Sequence, residues 1–207
     1  MPRSEAGPAA AAADRLTEAS YDAVVLAGGA ARRLGGADKP GTHVGGRPLI
    51  VWVADAAADA GQLIIVGSPR PELPHALVVR EDPPGGGPVP ALRTGLSLVR
   101  APWTALLAAD LPFLRTADLA GLFGAAQEHS GAVLVDAEGR RQWLAGIWRT
   151  EALRAALEAY RGSSLRGLLG PMEPALVAPV AGERPPWFDC DTPADIDRAG
   201  RLGDLGR

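Results

Sequence analysis

The chain has 207 residues, of which 47% are hydrophobic, so it can bury a substantial core, and its length favours one domain. Its 21 basic and 24 acidic residues are interspersed and leave a net charge of −3. A chain without an overall basic field is a poor candidate for binding nucleic acid or a membrane surface. Any anionic ligand must therefore be met by local groups.

Cysteine content and apolar run length exclude further classes. Cys190 is the single cysteine, which rules out an internal disulfide framework and a cysteine-based zinc cluster and suits a reducing cytoplasm. No apolar run reaches the roughly 18 residues of a membrane span. Residues 1–20 are rich in alanine but interrupted by charges, so we predict a disordered tail there and a single domain over residues 21–207.

Apolar runs and helical patterns alternate along that domain. Short runs bounded by Gly, Pro or Asp predict strands over residues 21–26, 63–67, 76–79, 104–110, 132–136 and 144–148. Apolar spacing near 3.6 predicts helices over residues 48–60, 89–100, 116–129 and 150–160. This alternation predicts an α/β fold in which helices cover both faces of a mostly parallel sheet.

Ligands of an open parallel sheet bind outside the carboxyl ends of its strands. Three informative loops follow predicted strands: "AGGAARRLGGADKP" after the first, "REDPPGGGP" after the third and "ADLPFL" after the fourth. All three belong at one edge of the sheet, so we expect the functional site there.

The first loop contains glycines and three cations, Arg32, Arg33 and Lys39. Its glycine spacing does not match the dinucleotide fingerprint, and Lys39 lacks the context of a Walker A motif. One interpretation is that glycine lets backbone N–H groups approach a polyphosphate whose charge the cations neutralise. The alternative is that the glycines only turn the chain and the cations are solvated.

Two aspartates follow other strands. Asp110 stands where a carboxylate can hold Mg²⁺ together with phosphate oxygens, although a cap on the following turn explains it equally well. Asp82 can accept hydrogen bonds from a ribose or from a guanine edge. His43, His75 and His129 are predicted to be solvated, and packing is the favoured role of Trp143, Trp148 and Trp187 over stacking on a ligand.

The motifs "LAGGAARRLGGADK", "GGRPL", "REDPPGGGP", "ADLP" and "DCDTPADI", in this order, resemble those of the molybdenum cofactor guanylyltransferase family, the MobA-like nucleotidyltransferases. The resemblance runs from about residue 21 to the C-terminus. It implies a three-layer, Rossmann-like nucleotidyltransferase fold. It also implies a cytoplasmic enzyme that transfers GMP from GTP to the phosphate of Mo-molybdopterin and releases pyrophosphate.

The resemblance also implies roles for individual residues. The residues implied to contact the nucleotide are Leu26, Ala27, Gly28, Gly29, Lys39, Asp82 and Asp110. Lys39, with help from Arg33, is implied to hold phosphate oxygens, and Asp110 is implied to bind Mg²⁺; these three are the catalytic candidates. Thr192 and Pro193 lie where the family places contacts to the acceptor. The residues "TPAD" (192–195) by themselves predict first the start of a helix, with Thr192 as its N-cap and Pro193 in its first turn.

The chain departs from the family pattern at three places. Gly67 and the pair Asp189 and Asp191 stand where many members carry asparagine, so Gly67 receives no role and a metal role for Asp191 stays open. A cytidylyltransferase, another small-phosphate nucleotidyltransferase and a non-catalytic nucleotide-binding partner in cofactor assembly remain as alternatives. The expected ligands are small molecules, with room for transient contacts to cofactor-delivery proteins or molybdoenzymes.

Overall fold

The computed structural model describes residues 21–28, 38–82, 84–179 and 182–204. The predicted tail, residues 1–20, lies outside the described part. The strands of the described part are β1 Tyr21–Leu26, β2 His43–Val44, β3 Arg47–Pro48, β4 Leu63–Val66, β5 Leu77–Val79, β6 Trp103–Ala108, β7 Gly131–Val135, β8 Arg141–Arg149 and β9 Ala175–Val177. Its α-helices are α1 Leu49–Ala56, α2 Pro88–Leu96, α3 Thr116–Ala126, α4 Thr150–Ala159, α5 Leu165–Leu169 and α6 Pro193–Asp204.

The central sheet has the strand order β5-β4-β1-β6-β8-β7-β9 within the described residues. β1 pairs in parallel with β4 and β6, and β5 continues this parallel half. Only β8 runs against its two neighbours in the sheet, β6 and β7. The predicted α/β class with a mostly parallel sheet is therefore confirmed, and the loops after β1, β5 and β6 do leave from one edge.

All the predicted strands and helices are present, with shifted ends. The first helix ends at Ala56, four residues before the predicted end, because the alanine-rich sequence that follows forms turns in which Ala60 N–H donates to Ala57. The short hairpin of β2 and β3 and the edge strand β9 were not predicted. Strands of two or three residues are too short to show an alternating pattern.

Helices pack on both faces of the sheet and create two cores. Along β1, Val25 faces the core shared with α1 and α3, whereas Val24 faces the core shared with α2, α4 and α5. Because both faces are covered, the β1 side chains are buried along its whole length. The result is the three-layer arrangement that holds the carboxyl ends of the strands in a fixed register.

A third, smaller core attaches the C-terminal segment to this edge of the sheet. Its buried members are Val44, Leu49, Phe113, Cys190 and Ala199. They come from the hairpin, the first residue of α1, the loop after β6, the segment before α6 and α6 itself. Burial of these side chains brings the residues around Cys190 next to the loop after β6.

In the described ranges, no helix has the length and apolar character needed to cross a membrane.

We expect Gly95→Ala to destabilise the protein. A Cβ at Gly95 of α2 would lie 2.6 Å from Val24 Cγ1 and 2.9 Å from Val66 Cγ2, both fully buried. Overpacking of this kind costs about 1–3 kcal/mol of the free energy of unfolding, measurable by urea denaturation. Gly121→Ala is the matched control, because a Cβ there meets nothing within 4 Å, and it should stabilise α3 by about 0.5–1 kcal/mol. Equal effects of the two substitutions would contradict this packing.

Candidate active site

Lys39 is the centre of the charged cluster at the carboxyl edge of the sheet. It begins a short 3₁₀ turn, Lys39–Gly41, that follows the glycine-rich loop. Its ammonium pairs with Asp110 Oδ2 and lies 2.5 Å from Asp191 Oδ1. The Lys39 side chain is only 18% exposed, so the two carboxylates replace most of its water shell. One cation thus joins the loop after β1, the loop after β6 and the segment before α6.

The ionisation of Lys39 follows from these contacts. Partial burial alone would lower the pKa of its ammonium, but the adjacent Asp110 and Asp191 carboxylates raise the pKa above its ordinary value. Lys39 is also the only lysine in the sequence, and every other strong base is an arginine. A compact ammonium therefore occupies the position, within the described residues, where one cation contacts both Asp110 and Asp191.

Only one of the two carboxylate oxygens of Asp110 contacts Lys39. Its side chain is 15% exposed, and while Oδ2 pairs with Lys39, Oδ1 is buried without a hydrogen-bond partner. An unpartnered carboxylate oxygen at this depth is chemically suited to a hard cation. No cluster of three or more candidate ligands is found among the described residues, but Mg²⁺ needs only one or two carboxylates beside phosphate oxygens and water. The residues present thus fit the Mg²⁺ that the family resemblance implies.

The segment before α6 supplies two more carboxylates. Cys190 is buried in the third core, and its N–H donates to the Asp110 carbonyl at 3.3 Å, which anchors the residues on either side. Burial, together with the charges of Asp191 and Asp110, raises the pKa of Asp189. Among the described residues, Lys39 thus lies close to three carboxylates, those of Asp110, Asp189 and Asp191.

Helix α6 begins immediately after these carboxylates, as the motif predicts. Asp195 N–H donates to Thr192 Oγ1 at 3.2 Å, and Thr192 N–H donates to Asp195 Oδ2 at 2.8 Å. This reciprocal pair is a capping box that fixes the start of the helix. It confirms the predicted role of Thr192 as a helix cap, whereas its role toward an acceptor stays a prediction.

The backbone of Leu26, Ala27 and Gly28 leaves β1 beside this cluster. Ala27 N–H donates to the Val66 carbonyl at 2.9 Å, and Gly28 is exposed. Gly67 packs directly against this segment, since a Cβ there would lie 2.9 Å from the Ala27 carbonyl oxygen. Gly67, at the position where many family members carry asparagine, therefore makes a close backbone contact at the start of the loop.

Several predicted residues lie outside the cluster or outside the described part of the chain. Gly29, Arg32 and Arg33 are not among the described residues. Asp82 is exposed on the loop after β5, at the predicted edge. Its neighbour Glu81 accepts a hydrogen bond from Gly85 N–H at 3.0 Å and would lie 3.6 Å from a Cβ at Gly28. The nucleotide contacts of all these residues remain predictions.

A cavity of about 330 Å³ opens next to Asp110. Trp143, Trp187, Leu165 and Asp189 contribute to its lining. The guanidinium of Arg141, also in the lining, lies 5.6 Å from the centre of the Trp143 ring. An apolar, aromatic cavity with charges at its rim suits a planar polar ligand.

The prediction that the tryptophans serve in packing is correct for Trp148 and incomplete for Trp143 and Trp187. Trp148 is fully buried in the second core, whereas Trp143 and Trp187 are partly exposed in the cavity. His43, His75 and His129 are exposed, as predicted.

Sequence reasoning missed the pair of Asp38 and Arg70. Arg70 follows β4 and has a side chain that is only 4% exposed, and its Nη2 donates to Asp38 Oδ1 at 2.6 Å while Nη1 donates to Oδ2. This hydrogen bonding lowers the pKa of the Asp38 carboxyl. No signal in "SPRPE" identifies Arg70, because its partner is 32 residues away.

Comparisons with known proteins identify the family of the chain. The family model described as "MobA-like NTP transferase domain" matches residues 23–176. A molybdenum cofactor guanylyltransferase from Rhodopseudomonas palustris is 31% identical over 194 residues, which are 87% of this chain and 92% of that protein. Another, from Bradyrhizobium, is 30% identical over 200 residues, 90% of this chain and 94% of that protein.

A solved structure shows the same fold. A nucleotidyl transferase from Methanothermobacter superposes with a TM-score of 0.74 at 18% identity and covers 91% of this chain and 99% of its own. The sheet, its charged carboxyl edge and these matches define a nucleotidyltransferase. More specifically, the chain belongs to the MobA-like NTP transferase family, as its motifs predicted.

We expect Cys190 to be unreactive in the folded protein. Burial, reinforced by the Asp110 and Asp195 carboxylates, raises the pKa of its thiol to about 12, and the side chain has no exposed surface. Because the thiolate is the reactive form, Ellman's reagent at pH 8 should label the native protein far more slowly than the same protein in denaturant. Labelling of the native protein at the rate of a free thiol would contradict the burial of the segment before α6.

Proposed function

We propose that the protein is a molybdenum cofactor guanylyltransferase, which transfers GMP from GTP to the phosphate of Mo-molybdopterin and releases pyrophosphate. The observation that carries the proposal is the bridge from Lys39 to Asp110 and Asp191 at the carboxyl edge, beside the backbone of residues 26–28. The curated relatives support the choice of substrates, since they bear this name at about 30% identity over most of the chain.

GTP would lie across the loop after β1. The backbone of Leu26, Ala27 and Gly28, with Gly29, would contact the nucleotide, and Asp82 would accept hydrogen bonds from its ribose or base. Lys39 and Arg33 would hold the phosphates. The raised pKa of Lys39 keeps its ammonium charged throughout the neutral range, so Lys39 acts as a fixed positive charge.

In the transfer, an oxygen of the acceptor phosphate forms a bond to the α-phosphorus of GTP. The bond from that phosphorus to the oxygen bridging to the β-phosphate breaks, and the electron pair leaves with pyrophosphate. The acceptor phosphate is already anionic at neutral pH, so no side chain has to remove a proton. The protein contributes alignment of the reacting groups and neutralisation of charge, as phosphoryl transfer requires.

Asp110 is the residue we assign to Mg²⁺, through its unpartnered Oδ1, with Asp191 as a further carboxylate within reach of the same cluster. When bound, Mg²⁺ offsets charge on the phosphate oxygens of the nucleotide. Lys39 and Asp110, which are in direct contact, would then both act on these phosphates. The ion pair between them sets the distance at which they do so.

The acceptor would occupy the cavity next to Asp110. Its Trp143 and Trp187 side chains offer apolar faces to a fused ring, and Arg141 at the rim offers charge to a polar substituent. Because Asp110 also lines this cavity, an acceptor bound there has its phosphate close to the nucleotide phosphates. We further propose a cytoplasmic location and transient protein partners for release of the product.

Release of pyrophosphate with GTP, Mg²⁺ and Mo-molybdopterin tests the function. We expect activity with GTP well above that with CTP, and a loss of about 100-fold or more in Asp110→Asn, which removes a charged oxygen at the reacting phosphates. Lys39→Arg should lose a similar factor, because a planar guanidinium does not fit where an ammonium contacts two carboxylates.

Glu151→Gln is the control for these variants, since it removes an exposed carboxylate paired with Arg154 on α4, and it should keep wild-type activity. Faster turnover with CTP would make the protein a cytidylyltransferase. If thermal shift shows nucleotide binding but the wild type releases no more pyrophosphate than Asp110→Asn does, the protein would be a non-catalytic nucleotide-binding partner.

For the acceptor, we expect Trp143→Ala to raise KM for Mo-molybdopterin about fivefold to tenfold and to leave KM for GTP unchanged. This factor corresponds to the roughly 1–1.5 kcal/mol that an aromatic contact adds. Trp52→Ala is the matched control. Trp52 is on α1, its ring packs under the Arg47 guanidinium, and it does not line the cavity. Equal KM values in the two variants would place the acceptor elsewhere.

A further inference from the structure

We infer that Arg70 is a positioning residue that fixes Lys39 through Asp38. Within the described part of the chain, Arg70 makes no hydrogen bond or ion pair with the carboxylates around Lys39 and does not line the cavity, so it would act on the reaction only through Asp38. The effect on kcat described below rests on the proposed function, whereas the effect on the mobility of the Lys39 side chain does not.

Arg70 is much more buried than Asp38, so Arg70 holds Asp38 in place rather than the reverse. The Arg70 side chain is 4% exposed and that of Asp38 is 59% exposed. Because its surroundings enclose it, the buried guanidinium is the fixed partner. The backbone of Arg70 is also held in the loop that follows β4, where its carbonyl accepts from Leu73 N–H at 3.0 Å. Asp38 is attached to it by two parallel hydrogen bonds, the geometry that a planar guanidinium provides and an ammonium does not.

Asp38 transmits this attachment to the backbone of Lys39. It is the residue before the 3₁₀ turn, and its carbonyl accepts from Gly41 N–H at 3.1 Å. On the other side of the turn, the Thr42 carbonyl accepts from Leu49 N–H at 2.9 Å and so ties the chain to α1. The backbone of Lys39 is held from both ends.

This anchoring matters because Lys39 is long and flexible. A lysine stem has four rotatable bonds, and its Nζ can reach Asp110 and Asp191 together only from a defined backbone position. Loss of the pair leaves the turn free to shift on the side of the glycine-rich loop. The expected consequence is a mobile ammonium rather than an unfolded protein.

Gly41 provides a steric test of the same contact. A Cβ at this position would lie 2.3 Å from Asp38 Oδ2 and 3.4 Å from Arg70 Nη1. Gly41→Ala therefore pushes the carboxylate away from the guanidinium without removing either charge. It should reproduce the effect of Asp38→Asn by an independent route.

The single lysine of the sequence makes a direct measurement available. In protein labelled with ¹³Cε-lysine, the one side-chain signal belongs to Lys39, and its relaxation reports picosecond-to-nanosecond mobility of Cε. We expect a rigid Cε in the wild type and increased mobility in Asp38→Asn, Arg70→Lys and Gly41→Ala. Asp38→Glu, which keeps the charge, should restore part of the rigidity.

The same variants should lower kcat of the transfer by about 10-fold to 100-fold, with a smaller change in KM for GTP, because misplaced catalytic groups mainly slow the chemical step. Glu151→Gln, which breaks the exposed pair with Arg154, is the control and should change neither mobility nor kcat. Circular dichroism and melting temperature establish that each variant is folded.

Two results would overturn the inference. One is an unchanged Lys39 signal in folded Asp38→Asn, Arg70→Lys and Gly41→Ala, whatever the activity. The other is increased mobility in Glu151→Gln as large as in Asp38→Asn, which would show that any loss of an ion pair has this effect. Increased mobility confined to the site variants supports the inference even if the wild type transfers no GMP, in which case only the proposed function fails.

Discussion

The contact of one ammonium with two carboxylates organises this edge of the molecule. Lys39 and Asp191 are 152 residues apart in sequence, and their approach requires the sheet to place the loops after β1 and β6 side by side. It also requires the third core to hold the segment before α6 against them. Removing one partner of such a partly buried pair leaves an uncompensated charge, so the three charges depend on one another.

The balance of charge in this cluster explains why it is a receptive site. Lys39 lies among the carboxylates of Asp110, Asp189 and Asp191, and partial burial together with the charges of Asp191 and Asp110 raises the pKa of Asp189. In the proposed reaction, a cation that arrives with the polyphosphate would relieve the repulsion among these carboxylates, and the polyphosphate would find Lys39 already charged. Both signs of charge are needed, because an all-basic site would bind any anion and an all-acidic site would repel the nucleotide.

The sequence predicted those features that depend on local pattern. Alternation of apolar runs and helical segments identified the main strands and helices, and the rule for parallel sheets placed Lys39, Asp82 and Asp110 at one edge. It did not predict that Lys39 contacts both Asp110 and Asp191, because side-chain pairing across the fold leaves no periodic trace. Arg70 was missed for the same reason. Trp143 packs against the second core, as predicted, but a strand position did not reveal that it also lines the cavity.

The long separation between Lys39 and Asp191 has a consequence for how the protein is made. Synthesis proceeds from the N-terminus, so β1, β6 and both large cores leave the ribosome before Asp189, Cys190 and Asp191 do. A nascent chain can therefore assemble its sheet while Lys39 has Asp110 as its only carboxylate partner from this trio. The three carboxylates come together around Lys39 only when the segment before α6 docks, so this segment completes the candidate site after the sheet has formed.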